Sequence, residues 1–242
     1  MHRDCIILAG GLGTRLRDVV ADKPKCLADI NGKPFLHYLG QYLARFHFCK
    51  VVFAIGYKGE MVQDYVMNNR DAFPFAFDFA VEEEPLGTGG AIMNALPYCD
   101  TDDFFVLNGD TFFDVDIDTM SYFQESRMAD CTLALKPMSN ADRYGLVQVD
   151  AEQHITGFAE KTTGASGLIN GGVYCIYRHS FLNIPFPKKF SFEKDYLEKM
   201  IRERDMFGLV QDRYFIDIGI PSDYEKAQTD IPALFNTPSW IS

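Results

Sequence analysis

Apolar positions along the chain follow two spacings. Cys5–Ala9, Val51–Ile55 and Phe104–Leu107 are short continuous apolar runs, the mark of strands covered on both faces. Phe75, Phe77 and Phe79 alternate at strand period, with Pro74 blurring the start. Between them, Phe35, Leu36, Leu39, Tyr42, Leu43 and Phe46 recur at helical spacing. Glu60–Met67 predicts a helix with Met61, Val62, Tyr65 and Val66 on its apolar side, and Ala91–Leu96 a short one. Strands separated by single helices predict right-handed crossovers and a mostly parallel α/β sheet flanked by helices. From about Asp130 the pattern changes. Cys131–Leu135, Leu146–Val149, Ile155–Glu160 and Val173–Tyr177 follow one another through short turns, which predicts antiparallel additions. A helix over Phe192–Arg204, strands at Phe207–Val210 and Tyr214–Ile218, and a last helix opened by Pro221 complete the reading. With no linker, repeat or low-complexity stretch, residues 1–235 read as one domain and 236–242 as a loose tail.

Charge and cysteine usage narrow the classes. Among 242 residues, 23 Lys+Arg stand against 34 Asp+Glu, a net charge of −11. That balance argues against wrapping nucleic acid, which needs basic patches. It leaves room for a small anion held by a few local cations. No apolar run approaches the ~18–20 residues that cross a bilayer, and the apolar stretch after Asp4 is too short for a signal-peptide core. Cys5, Cys26, Cys49, Cys99, Cys131 and Cys175 are scattered without a C-x-x-C pair, so reduced thiols in a cytoplasmic protein are expected.

The first chemical feature follows the first strand: Leu8-Ala9-Gly10-Gly11-Leu12-Gly13-Thr14-Arg15-Leu16. Clustered glycines let backbone amides surround an anion. A Walker A loop would end in Gly-Lys-Ser/Thr, and a dinucleotide fingerprint would carry glycine where Leu16 stands; neither is met. Arg15 and Lys23-Pro24-Lys25 add cations suited to a triphosphate. The plain alternative is a tight turn with solvated surface charges. A second feature is Asn108-Gly109-Asp110, which ends a buried strand where ligands of open α/β sheets sit. An aspartate there suits Mg²⁺, which binds through one or two carboxylates plus phosphate oxygens. Asp217, flanked by apolar residues and followed by Gly219 and Pro221, is a second ligand candidate; its plain reading is a turn or N-cap aspartate. Asp114, Asp116 and Asp118 read as a solvated loop, with Asp118 capping a helix Thr119–Arg127.

Gly10–Arg15 with Lys23-Pro24-Lys25 resembles the signature of the sugar-1-phosphate nucleotidylyltransferases. The resemblance implies a Rossmann-like sheet of the nucleotide-diphospho-sugar transferase type, with antiparallel sugar-binding additions. It implies that Leu8, Ala9, Gly10, Gly11, Gly13 and Thr14 wrap the nucleotide together with Asn108 and Gly109. Arg15, Lys25 and Asp110 then carry the reaction, and Asp110 and Asp217 hold Mg²⁺. Two positions depart from the pattern: Cys26, read as a packing substitution, and Ile220, where threonine is usual.

The acidic run Glu82-Glu83-Glu84 precedes Pro85-Leu86-Gly87-Thr88. A carboxylate can accept the N1–H and exocyclic amine of guanine, a pair uracil does not offer; otherwise this is a solvated charge run. The segment is similar to that of mannose 1-phosphate guanylyltransferases, which favours GTP, with Glu82, Gly87 and Thr88 at the nucleoside. By the same resemblance Tyr144-Gly145, Glu160-Lys161, Asn170-Gly171-Gly172 and Tyr174 form the sugar-phosphate side. There Lys161 would meet the phosphate, and Glu160 and Asn170 the sugar hydroxyls. Further segments, among them Ile30–Leu36 and Phe190–Asp195, resemble the group acting on D-glycero-D-manno-heptose 1-phosphate. The expected reaction makes GDP-heptose and pyrophosphate for cell-surface glycan synthesis. Mannose 1-phosphate with GTP, UTP with an amino-sugar phosphate, and a non-catalytic nucleotide sensor are the alternatives, and a homo-oligomer stays open.

Overall fold

The central strand β1 (Asp4–Leu8) organises the computed structural model, which describes residues 2–11, 23–160 and 163–237. After it come a 3₁₀ turn Lys25–Leu27, a small hairpin of β2 (Asp29–Ile30) and β3 (Lys33–Pro34), and α1 (Phe35–Leu43). The chain continues through β4 (Lys50–Ile55), α2 (Gly59–Asn68), β5 (Ala76–Val81), α3 (Gly87–Ala95) and β6 (Asp103–Asn108). Then follow β7 (Thr111–Phe113), α4 (Ile117–Arg127), β8 (Cys131–Met138), β9 (Leu146–Val149), β10 (Ile155–Ala159), β11 (Gly167–Tyr177) and α5 (Arg178–Leu182). A π-helical segment Phe192–Glu198, β12 (Met206–Val210), β13 (Phe215–Asp217) and α6 (Pro221–Phe235) end it.

Nine strands form one sheet along the path β10-β9-β11-β6-β1-β4-β5, with β8 pairing β11 and β12. β1 runs parallel to β4 on one side and β6 on the other. Because β4 and β5 extend one way and β6 the other, the strand order reverses at β1, and a crevice opens beyond the carboxyl ends of β1 and β6. The expected antiparallel additions are present: β11 lies antiparallel to β6, β8 and β9, and β9 to β10.

Side-chain alternation divides the core. Cys5 and Ile7 point to the face covered by α1, α2 and α6; Ile6 points to the face covered by α3 and the Phe192–Glu198 segment. Phe53 and Phe105 are fully buried on the first face, Phe104 and Tyr196 on the second. Each such ring contributes roughly 1.5–3 kcal/mol by leaving water.

Several local expectations are corrected. Asp116, not Asp118, caps α4: its Oδ1 accepts the Thr119 N–H at 3.0 Å. Buried Ile117 starts the helix two residues earlier than expected, and Asp118, now in the first turn, reaches out to Arg3. Asp114 is not simply solvated, since Arg45 lies 3.3 Å from it and Arg213 3.9 Å. The helix expected over Phe192–Arg204 unwinds into a turn at Ile201, ahead of β12. The β2–β3 hairpin, β7 and α5 are too short to carry a period.

Candidate active site

Two parallel strand ends form the floor of the crevice. Leu8 is in register with Asn108, and the Gly109 N–H donates to the Leu8 carbonyl at 3.0 Å. A Cβ on Gly109 would lie 2.6 Å from that carbonyl, so this close approach requires glycine. The turn delivers Asp110, and β7 then pairs antiparallel with β13, matching Thr111 to Asp217. The Ile218 N–H closes the junction on the Asp110 carbonyl at 3.1 Å. This two-stranded ribbon brings together two aspartates that are remote in sequence.

Lys25 joins them from the 3₁₀ turn. Its Nζ donates to Asp110 Oδ2 at 2.5 Å and lies 3.6 Å from Asp217 Oδ1. Asp217 Oδ1 also accepts the Gly219 N–H at 2.7 Å, so the residue is a turn aspartate and a crevice carboxylate at once. Burial, and then the charge of Asp110, push the Asp217 carboxyl above its ordinary range; Lys25 pulls it back. Cys26 is buried, and desolvation followed by the Asp110 charge raises its thiol to about 12, which keeps it protonated and out of nucleophilic chemistry.

The crevice encloses about 550 Å³, within the range of small-molecule sites. Leu8, Ala9, Gly10 and Gly11 line one wall, and Asn108, Gly109 and Asp110 the floor. Of the three consecutive acids only Glu82 reaches it. Its Oε2 accepts the Leu86 N–H at 3.2 Å, its Oε1 lies beside Gly10, and burial raises its carboxyl. Glu83 and Glu84 are exposed, and Glu84 pairs with Lys188 at 2.7 Å. Gly87 and Thr88 open α3 along the far wall. Gly87 sits at φ +75°, a conformation that favours glycine. The Gly89 and Gly90 amides are spent on the Phe190 carbonyl at 3.1 and 3.4 Å, so two of the four first-turn donors of this helix are already engaged.

The crevice thus lies at a strand-order reversal, has Gly10, Gly11, Gly87, Gly109 and Gly219 in its lining, and holds one lysine between two aspartates. The family model described as "Nucleotidyl transferase" matches residues 4–233. The chain belongs to the nucleotidyl transferase family. It is 44% identical to a D-glycero-alpha-D-manno-heptose 1-phosphate guanylyltransferase of Aneurinibacillus thermoaerophilus, over 94% of this chain and 98% of that one. It is 31% identical to a mannose-1-phosphate guanylyltransferase of Mycobacterium tuberculosis, over 94% of this chain and 64% of that longer one. Among solved structures, HddC from Yersinia pseudotuberculosis complexed with GMP-PN superposes with a TM-score of 0.83 at 39% identity, covering 93% of this chain and 97% of that one.

Within this nucleotidyl transferase, the described members of the expected sugar-phosphate set, Gly145, Glu160, Asn170, Gly171 and Tyr174, are not among the residues lining the crevice. Asn170 stands at an irregularity of β11, where the register against β8 shifts. Its Oδ1 accepts the Gly172 N–H at 3.0 Å, and its Nδ2 donates to the Tyr174 hydroxyl at 2.9 Å. Tyr174 is 1% exposed and stacks edge-on with Phe192, so it supports Asn170 from below and does not face a ligand. Gly171 is likewise buried, against the Phe113 ring, while Gly172 abuts Asn108 and ties β11 to the crevice floor. Gly145 faces the Ala159 carbonyl, and Glu160 is exposed at the end of β10. Gly13, Thr14, Arg15 and Lys161 lie outside the described residues.

Glu193 is a lining residue that motif reading missed. Its Oε2 accepts the hydroxyls of Thr88 at 2.7 Å and Ser191 at 2.9 Å. Thr88 Oγ1 also accepts the Phe192 N–H at 2.9 Å, so that hydroxyl is spent on joining α3 to the Phe192–Glu198 segment. The sequence signal was the Phe190–Asp195 stretch itself, which points to no ligand until it folds against α3.

Proposed function

We propose that this nucleotidyl transferase moves GMP from GTP to D-glycero-α-D-manno-heptose 1-phosphate, releasing pyrophosphate. The observation that carries the reaction class is the convergence of Lys25, Asp110 and Asp217 beside the glycine-walled crevice. The acceptor rests on the 44% likeness over nearly the whole of both chains. The choice of GTP rests on Glu82, a half-buried carboxylate with one oxygen beside Gly10, suited to accept the N1–H and amine of guanine.

In this reading Leu8, Ala9, Gly10 and Gly11, continuing through Gly13 and Thr14, surround the triphosphate, with Asn108 and Gly109 beneath. Arg15 and Lys25 neutralise its charge, and Gly87 and Thr88 border the nucleoside. An acceptor phosphate oxygen attacks the α-phosphorus in line. The new P–O bond forms as the bond to the β-phosphate breaks, and pyrophosphate carries the electron pair away. The attacking group is already anionic, so alignment and charge neutralisation are the protein's main contributions. Gly145, Glu160, Lys161 and Asn170, backed by Gly171 and Tyr174, hold the acceptor.

Asp110 and Asp217 suit a hard cation. Both are carboxylates close enough to share one ammonium, and among the described residues no three His, Cys, Asp or Glu side chains converge on a point. An ion held by this pair would complete its shell from water and phosphate, which is the habit of Mg²⁺. When bound, it supplies charge neutralisation at the phosphates.

Pyrophosphate release measured over a matrix of GTP, UTP, ATP and CTP against heptose, mannose and N-acetylglucosamine 1-phosphates tests the proposal. GTP with the heptose gives the highest kcat/KM if it holds. Preference for UTP overturns the role of Glu82, and preference for mannose 1-phosphate overturns the acceptor. No helix among the described residues is long and apolar enough to cross a membrane.

A further inference from the structure

Lys25 stands where the carboxylate pair needs a cation. Its Nζ lies 2.5 Å from Asp110 and 3.6 Å from Asp217. The side chain is only 14% exposed, so it is an enclosed group and not a surface lysine sweeping past. The turn that carries it is held by Leu27 N–H on the Pro24 carbonyl at 2.8 Å and Ala28 N–H on the Lys25 carbonyl at 3.0 Å. Gly219 leaves it room: a Cβ there would lie 3.0 Å from Nζ and 2.8 Å from Asp217 Oδ1. The ammonium therefore offsets one of the pair's two negative charges and sits against one oxygen of each carboxylate, where a divalent ion would bind. Two cations at such spacing, screened only by partly enclosed protein, repel each other strongly.

We propose that Lys25 is the resting counter-ion of the Asp110–Asp217 pair, keeping free divalent cation off the two carboxylates until a nucleotide's phosphates draw the ammonium away. This rests on the reading of the two aspartates as the cation ligands. It makes Lys25 an interlock as well as a phosphate contact: cation arrives with the nucleotide and not before it. The lysine's charge then passes from the carboxylates to the triphosphate.

The test is Mn²⁺ binding to the nucleotide-free protein, read from loss of the free-ion electron paramagnetic resonance signal. Lys25→Met should bind Mn²⁺ at least ~10-fold more tightly than the native chain, since one repelling charge is removed. Lys25→Arg, which keeps the charge, should bind as weakly as native. Lys25→Gln replaces the methionine variant if that one does not fold. The gain should vanish in Lys25→Met/Asp110→Asn. Unchanged affinity in the uncharged variants, tight binding in Lys25→Arg, or a gain that survives loss of Asp110 would each overturn the proposal. The readout is separable from turnover. A native enzyme active on GTP and heptose 1-phosphate whose Lys25→Met variant gains no Mn²⁺ keeps its function and loses the interlock. An inactive native enzyme whose variant gains Mn²⁺ does the reverse.

Discussion

Glu82 and Glu84 stand two positions apart in one acidic run, yet folding gives them opposite environments. Lys188 beside Glu84 holds that exposed carboxyl below its usual range, whereas burial raises Glu82. The folded protein thus binds the Glu82 proton more tightly than the unfolded chain does. The stability linked to that proton is complete below the ordinary carboxylate range and is lost as pH rises through the raised folded value. Glu82→Gln, which has no charge to desolvate, should therefore melt above native at pH 8, with the gap closing below about pH 4. Thermal melts followed by circular dichroism across that range check it. The same variant should lose its preference for GTP over ITP, which lacks the exocyclic amine, in pyrophosphate-release assays. Asp110→Ala should fold yet release pyrophosphate at least ~100-fold more slowly, the scale of losing an electrostatic group at a reacting centre; near-native rates would remove Asp110 from the site. The candidacy of Asp110 was legible because Asn108-Gly109-Asp110 ends a buried strand, and that of Glu82 because its acidic run opens a segment similar to that of guanylyltransferases. The state of Glu82 was not, since it depends on Leu86 and Gly10 folding against it.

Between elements, the decisive structure is the β7–β13 ribbon, three residues in each strand. Strands so short carry no usable period, so the meeting of Asp110 and Asp217 was legible only through motif likeness. The loop between β8 and β9 shows the same limit. Arg143 donates to Asp223 at the start of α6 and to the Tyr144 hydroxyl at 3.2 Å. Tyr144 in turn packs edge-on with Phe215, two residues before Asp217. The ion pair thereby tethers the loop beside the Asp217 end of the crevice. Partly exposed pairs contribute little stability, so its effect belongs to positioning. Arg143→Ala should raise KM for the sugar phosphate by ~3–10-fold, leave KM for GTP within twofold, and move the melting temperature little. Steady-state kinetics with each substrate varied in turn separates this from general loosening, which would shift both constants.

Across the whole molecule the net charge is −11, and the crevice shares that acidity, with Lys25 set among Glu82, Asp110, Glu193 and Asp217. Thiol burial is uneven: five of six cysteines are buried and only Cys49 is exposed. A chromogenic disulfide reagent should accordingly titrate one thiol quickly in the native protein and six after unfolding in guanidinium. More than one fast thiol would contradict the burial of Cys5, Cys26, Cys99, Cys131 and Cys175. Period and composition by themselves determined the alternation of strands and helices, the parallel first half, the antiparallel second half and the glycine turn with its neighbouring cations. These are local properties, written in residue spacing, and burial only reinforces them. Tertiary structure alone decided that Glu82 is half-buried against Leu86 and Gly10, that Asp116 caps α4, that Tyr174 lies beneath Asn170, and that Lys25 rests between Asp110 and Asp217. Each of those outcomes depends on groups far apart in the chain meeting at hydrogen-bond distance. No local pattern encodes such a meeting, because it is set by how the sheet orders its strands.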